Sequence, residues 1–172
     1  MSSAGSRGRV WLFGDDINTD LIQPSPVVLL PIEEQVSHVF EANRPGWVER
    51  VRPGDLIVAG RNFGTGSSRP AAKVLRRLGL GGVIAESING LFFRNCVNLG
   101  LPALECPGVA GAFAEGEEAG FDLATGTVHN LTRGTQLAGR PWATELRQIL
   151  AAGGLIEQLE AEGLLLTNTT NC

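Results

Sequence analysis

Residues 56–70 carry the strongest chemical signal in the chain. A short apolar run, Leu56 to Ala59, feeds the stretch Gly60-Arg61-Asn62-Phe63-Gly64-Thr65-Gly66-Ser67-Ser68-Arg69-Pro70, and a helical pattern begins at its end. Gly64 and Gly66 let the backbone take positive φ and come close to a ligand. The first N–H groups of the following helix point outwards and carry about half a positive charge. Arg69 adds a guanidinium that can hold a carboxylate through two parallel hydrogen bonds. Together these make an anion site, and a planar carboxylate suits it. The alternative is simple capping of the helix by Ser67 and Ser68, with Arg69 solvated on the surface. The loop is neither a Walker loop, because no Gly-Lys-Ser/Thr follows, nor the Gly-x-Gly-x-x-Gly of a dinucleotide site.

The elements that must position this loop alternate between strand and helix. Val10 to Phe13 reads as a strand that breaks at Gly14-Asp15-Asp16. Asn18-Thr19-Asp20 is polar, and taken alone it reads as a turn with Asx hydrogen bonding. The proline-punctuated segment Pro24 to Pro31 looks too interrupted for a regular element. Ile32, Val36, Val39 and Phe40 recur at helical spacing, which predicts a helix over 32–42. Leu56 to Ala59 is a buried strand and 70–78 a helix closed by Gly79. Gly82 to Ala85 is the next strand, after which Ser87 is expected to cap a helix reaching about Leu99. Leu101 to Leu104 is a further short strand. From Gly120 the pattern turns β-like, with turns at Thr125-Gly126 and Arg133-Gly134. Residues 142–150 read as a helix, with one more turn over 155–159. The expectation is a single α/β domain over residues 1–172, with 1–7 and 165–172 loose at the ends.

Composition excludes several classes. The chain has 172 residues, 43% of them hydrophobic and 19% charged, enough for one packed core. Fourteen basic against eighteen acidic residues, net charge −4, leave no excess of cations to displace phosphate counterions. No nucleic-acid partner is therefore expected. No apolar run approaches the roughly 20 residues that span a bilayer. The opening residues MSSAGSRG lack an h-region, so no membrane association and a cytoplasmic location are expected. Cys96, Cys106 and Cys172 are too scattered for a zinc or iron–sulfur site, and His38 and His129 form no metal signature, so no metal is expected on this chain. Cys96 reads as a small buried hydrophobe, and Cys106 and Cys172 as candidates for exposure. Phe63 reads as packing, with Arg61 and Asn62 shaping the mouth of the loop. Arg94 reads as an ion-pair or partner contact.

Several motifs occur together in one order: Gly14-Asp15-Asp16-Ile17-Asn18-Thr19-Asp20, the stretch Val58 to Arg69, Val83-Ile84-Ala85-Glu86-Ser87, Phe92-Phe93-Arg94-Asn95, and Gly100-Leu101-Pro102. The set closely resembles the small subunit of isopropylmalate dehydratase, the swivel domain of the aconitase superfamily, over nearly the whole chain. The resemblance implies an α/β fold, a swivelling three-layer β/β/α domain. It implies a large partner subunit that carries a 4Fe–4S cluster, over which this domain would close, and a small dicarboxylate substrate. The implied reaction removes and re-adds water across a hydroxy acid, with the cluster's free iron ligating the substrate hydroxyl and a carboxylate. Matched residue by residue, Ser67 falls on the catalytic base, Ser68 and Arg69 on the neighbouring serine and the carboxylate-binding arginine, and Asp20 on the active-site aspartate, with Thr19 beside it. A free hydroxyl is too weak a base near pH 7, so its alkoxide would need fixed donors in a water-poor cleft.

The chain departs from that family in two places. Pro70-Ala71-Ala72 stands where the family usually has Glu-His-Ala, and proline in a helix's first turn is harmless to the fold. The lost acid and imidazole support the alternative of a non-catalytic anion-binding or assembly subunit with the same fold. Retention of Ser67, Arg69 and Asp20 together speaks for the enzyme subunit. Secondly, Pro24 to Pro31, where the family places its substrate-specificity loop, contains no charge. A third substrate carboxylate would call for an arginine there. Val27, Val28, Leu29 and Leu30 suit an alkyl branch instead, with Val28 and Leu29 as the substrate contacts; the alternative is that all four belong to the core.

Overall fold

The computed structural model describes residues 5–66 and 69–165. Its centre is a seven-stranded mixed sheet in the order β4-β3-β2-β1-β5-β6-β7. The strands are β1 (Gly5–Leu12), β2 (Leu56–Ala59), β3 (Gly82–Ala85), β4 (Ala103–Glu105), β5 (Glu118–Asp122), β6 (Thr127–Asn130) and β7 (Thr135–Ala138). The helices are α1 (Thr19–Ile22), α2 (Ile32–Val36), α3 (Ala71–Arg77), α4 (Gly90–Asn98), α5 (Thr144–Ala152) and α6 (Leu155–Ala161).

β1 divides the sheet. Its first half, Gly5 to Arg9, runs antiparallel to β5, whereas Val10 to Leu12 pair parallel with Leu56 to Val58. The parallel half, β1 to β4, is buried on both faces, which is why β2 and β3 are continuous apolar runs with no alternation. β5 to β7 form an antiparallel meander whose last strand is largely exposed. α3 packs on α2 and α4, and α4 on α5.

The sequence reading of strands β2 and β3 and of the β-like stretch with turns at Thr125-Gly126 and Arg133-Gly134 holds; several other boundaries move. β1 begins at Gly5, so residues 5–7 are paired strand where a loose end was expected. The helix expected over 32–42 stops at Val36. Ser37 Oγ donates to Glu34 O at 2.7 Å, and Phe40 takes φ +57°, which no α-helix continues. Phe40 thereby stacks into an aromatic cluster with Phe13 and Trp47. Helix α4 starts at Gly90, and its cap is Asn89, whose side chain accepts from Leu91 N; Ser87 is used elsewhere. Pro70 is the residue preceding α3 and makes no side-chain cap, while Ala71 and Ala72 are fully packed inside. The fold thus accommodates the Pro70-Ala71-Ala72 departure. Cys106 is buried, contrary to its expected exposure, and burial with the nearby Glu86 pushes its thiol up to about 11. Cys96 is buried as expected. Among the described residues, no helix is long and apolar enough to cross a membrane.

A polar anchor pins β1 to the start of β2. Asp55, 5% exposed, accepts from Trp11 Nε1 at 2.8 Å, Arg9 Nη2 at 2.7 Å and Arg52 N at 2.9 Å. Burial alone would raise its pKa, but these donors outweigh it and hold the carboxyl below its ordinary value. A depressed folded-state pKa means stability that is present above the unfolded value of about 4 and fades as pH falls through the folded one. Asp55→Ala also leaves the buried Trp11 N–H without its acceptor. The variant is expected to lose about 1–3 kcal/mol at pH 7 and to show a flatter acid limb in urea titrations from pH 7 to pH 3.

Candidate carboxylate site at the strand ends

β1, β2 and β3 are parallel, and the segments leaving their carboxyl ends meet on one edge of the sheet. Openings of this kind at the carboxyl ends of parallel strands are where α/β proteins place ligands. The central segment, residues 60–66, is bonded on both sides. Towards the β1 side, Gly60 N donates to Gly14 O, Gly64 N to Ile17 O at 2.7 Å, and Thr19 N to Thr65 O at 2.7 Å. On the β3 side, Phe63 N donates to Ser87 O, Asn89 N to Phe63 O, and Asn62 N to Ser87 Oγ. Ser87 therefore holds the glycine loop; it does not cap α4.

Backbone conformations that need special residues concentrate here. Asp16 and Asn62 have φ of 56° and 60°, and Asn62 Nδ2 donates to Asp16 Oδ1 at 2.8 Å. Asp and Asn are among the few non-glycine residues found readily at positive φ, and each side chain here steadies the other. Gly64 has φ +80°, and an added Cβ would fall 2.3 Å from the Phe92 ring, which packs edge-on against buried Phe63. Gly66 has φ +105°, and a Cβ there would stand 2.5 Å from Thr19 Oγ1. The two glycines are thus required by sterics as well as by torsion.

Arg69 emerges from the end of this loop and is 18% exposed, so it is far from a solvated surface side chain. Its Nε bonds Asp20 Oδ1 at 2.7 Å, its Nη1 donates to Gln23 O at 2.9 Å, and its Nη2 to Ser25 Oγ at 2.6 Å. Thr19, Asp20 and Arg69 are therefore brought together. Ser67 and Ser68 lie outside the described residues, as does Cys172. Asn18-Thr19-Asp20 is more than a turn: Asn18 caps the one-turn helix α1 by accepting from Leu21 N at 2.9 Å. That cap places buried Thr19 under Gly66 and leaves Asp20 66% exposed beside the guanidinium.

The Pro24–Pro31 segment divides in two. Val27 is core, 7% exposed, on a 3-10 turn over Ser25–Val27, whereas Leu29 is 95% exposed and Leu30 partly so. Val28 is half-buried. Sequence reasoning missed Gln23, Ser25 and Gln35 as parts of this region. A glutamine between Ile22 and Pro24 in an apolar run was the available signal. Among the described residues, no group of three or more His, Cys, Asp or Glu could hold a metal ion, and Cys96 and Cys106 are buried with raised pKa values. Among the described residues, these two buried thiols do not form the ligand set of an iron–sulfur cluster. A separate cleft of about 380 Å³, lined by Ile88, Phe93, Glu105, Arg140, Trp142 and Leu146, includes neither Asp20 nor Arg69.

Residues 33–108 match the family model of the aconitase C-terminal domain. The chain is 45% identical over 159 residues to the 3-isopropylmalate dehydratase small subunit 1 of Methanopyrus kandleri, covering 91% of this chain and 94% of that protein. It is 42% identical over 156 residues to the isopropylmalate/citramalate isomerase small subunit of Methanocaldococcus jannaschii, covering 90% and 93%. To the methanogen homoaconitase small subunit of Methanothermobacter thermautotrophicus it is 43% identical over 152 residues, covering 87% and 88%. The crystal structure of 3-isopropylmalate dehydratase from Methanocaldococcus jannaschii superposes with a TM-score of 0.86 at 33% identity, covering 93% of this chain and 96% of that one. The fold and these likenesses define a swivel-type α/β subunit of the aconitase class. The chain belongs to the family of isopropylmalate dehydratase small subunits.

Because Asp20 is mostly exposed, its pairing with Arg69 is expected to be weak. A double-mutant cycle with Asp20→Asn and Arg69→Lys, read by thermal denaturation, is expected to give a coupling of about 1 kcal/mol or less. A coupling of several kcal/mol means that Asp20 holds the guanidinium shut.

Proposed function

We propose that this chain is the small subunit of a heteromeric hydro-lyase that isomerises a branched hydroxy dicarboxylic acid of the alkylmalate type. The relatives named as dehydratase small subunits support the class of reaction. The observation that carries the reading is Arg69, semi-buried at the carboxyl ends of the parallel strands, with its guanidinium shared between Asp20 and the start of the apolar segment.

In this reading Arg69 takes a substrate carboxylate in place of Asp20, and Ser68 and Thr19 border the bound acid. Ser67 Oγ, two residues from Arg69, accepts the proton from the substrate carbon and returns it after the acid has been repositioned. Such a base needs its alkoxide stabilised, and fixed donors in a dry cleft, each worth about 3–4 kcal/mol in acyl-transfer enzymes, are the means available. Asp20, released from Arg69, stays at the mouth as a proton relay or as the partner of a donor on the substrate. The 4Fe–4S cluster, on the large subunit, supplies the Lewis acid that polarises the departing hydroxyl. The large subunit closes the open strand-end face, and the complex works in the cytoplasm.

Substrate choice follows from the loop. Leu29 is fully presented and carries no charge, and Val28 lies half-buried beside it. An acid with a methyl or isopropyl branch suits these contacts, while a third carboxylate would face apolar side chains and be desolvated without a partner. Discrimination among alkyl branches is expected to be modest, about 1–3 kcal/mol per methylene.

Two measurements test this on the complex of the chain with its large subunit. Ser67→Ala should lower turnover by roughly 100-fold or more with KM nearly unchanged; wild-type turnover in that variant removes Ser67 from the mechanism. In a substrate panel, isopropylmalate or citramalate should be turned over faster than citrate. The opposite order overturns the apolar-branch assignment. A tight complex that turns over none of these acids supports the non-catalytic alternative.

A further inference from the structure

Two glutamines packed inside the molecule meet behind the apolar loop. Gln23 is fully buried and Gln35, on α2, is 7% exposed. Gln35 Nε2 donates to two backbone carbonyls of the loop, Val28 O at 3.1 Å and Leu30 O at 2.5 Å. Only an NH2 group can serve two carbonyls, so the orientation of the Gln35 amide is determined by its neighbours. Its Oε1 therefore faces Gln23, and Gln23 Nε2 donates to it in a short contact. The remaining oxygen, Gln23 Oε1, is buried with no hydrogen-bond partner among the described residues.

This arrangement is poorly explained as a device for stability. A pair of buried amides with one unsatisfied acceptor is less favourable than two apolar side chains of the same volume. What it achieves is geometric. The carbonyls on either side of Leu29 converge on one nitrogen, so residue 29 becomes the apex of a tight bend and its side chain is driven outward to 95% exposure. The backbone of the same Gln23 accepts from Arg69 Nη1, and Ser25 accepts from Nη2. The clamp thus connects the carboxylate-binding guanidinium to the tip of the loop through one contiguous set of bonds.

We propose that the Gln23–Gln35 amide pair is a positioning device that presents Leu29 at a set distance from Arg69 and thereby determines selectivity for the branch of the substrate. The inference rests on the reading of Arg69 as the carboxylate-binding residue. Neither glutamine touches the reacting atoms. Their effect runs through the loop, so it appears in the comparison of substrates and leaves the chemical step alone.

The test uses the assembled complex with the wild-type small subunit and three variants of it: Gln35→Met, the double variant Gln23→Met with Gln35→Met, and Gln35→Glu. The double variant guards against misfolding, because replacing both partners with apolar side chains of similar size leaves no buried side-chain amide unsatisfied and releases only the Val28 and Leu30 carbonyls of the loop. The ratio of kcat/KM for isopropylmalate to that for citramalate should move towards unity by about tenfold, the size of an alkyl-pocket preference. The change should lie in KM, with kcat on the better substrate held. A third variant, Gln35→Glu, keeps the acceptor for Gln23 and loses the donor to the loop, and it should follow Gln35→Met. Hydrogen exchange of the 28–30 amides should accelerate in all three while exchange in β2 stays unchanged. An unchanged substrate ratio in an active complex overturns the proposal, as does unchanged exchange at 28–30. Weaker binding of the large subunit with an unchanged ratio also overturns it and makes Leu29 an assembly contact. A wild-type complex inert towards every alkylmalate sinks the proposed function itself and, with it, the selectivity role.

Discussion

The backbone ladder of the sheet continues past the end of β2. Residues 60–66 leave the strand but keep neighbours on both sides, bonding residues 14, 17 and 19 towards β1 and residues 87 and 89 towards β3. A glycine loop held in this way has little freedom, because moving it would strand buried amides and carbonyls that have no other partner. Every functional placement depends on that. Thr19 sits under Gly66, α1 begins where the loop ends its contact, and Arg69 emerges at a defined point beside Asp20. The positive φ values of Asp16, Asn62, Gly64 and Gly66 are local costs of the arrangement, and the bonded scaffold around them sustains those costs.

Arg69 is the second constraint, because it belongs to two structures at once. Under the proposed function it binds a carboxylate, and it is also a structural tie for the segment after α1, through Gln23 O and Ser25 Oγ. A guanidinium has enough donors in fixed directions for both tasks, which a lysine ammonium would not serve equally. Exposure grades the contacts: the one with Gln23 O is part-buried, whereas those with Ser25 Oγ and Asp20 face solvent.

The alternation of buried runs and turns in the sequence was enough to locate β2, β3 and the β5–β7 meander. Those strands are defined by burial on both faces or by strong turns, and both are local properties. Boundaries failed where long-range packing overrode local preference. The stripe Ile32, Val36, Val39, Phe40 has helical spacing, yet the helix ends at Val36 because Phe40 is drawn at positive φ into the cluster with Phe13 and Trp47. Ser87 has the composition of a cap but faces the glycine loop, and Asn89 takes the capping role. Residues 5–7 look like a polar terminus because their partners, residues 120–122, are more than a hundred positions away.

By itself, then, the sequence determined the chemistry: an arginine after a glycine loop, an aspartate after Asn-Thr, an apolar segment after both, and a motif order that identifies the family. These depend on residue type and spacing along the chain, which a sequence contains in full. Only the tertiary structure decided which of Val27 to Leu30 face inward, that Asp20 and Arg69 are paired, and that Gln23 and Gln35 meet behind the loop. Those outcomes arise from segments 12 to 49 positions apart being packed together, and no local pattern encodes the direction in which a side chain is buried once the chain has crossed over itself.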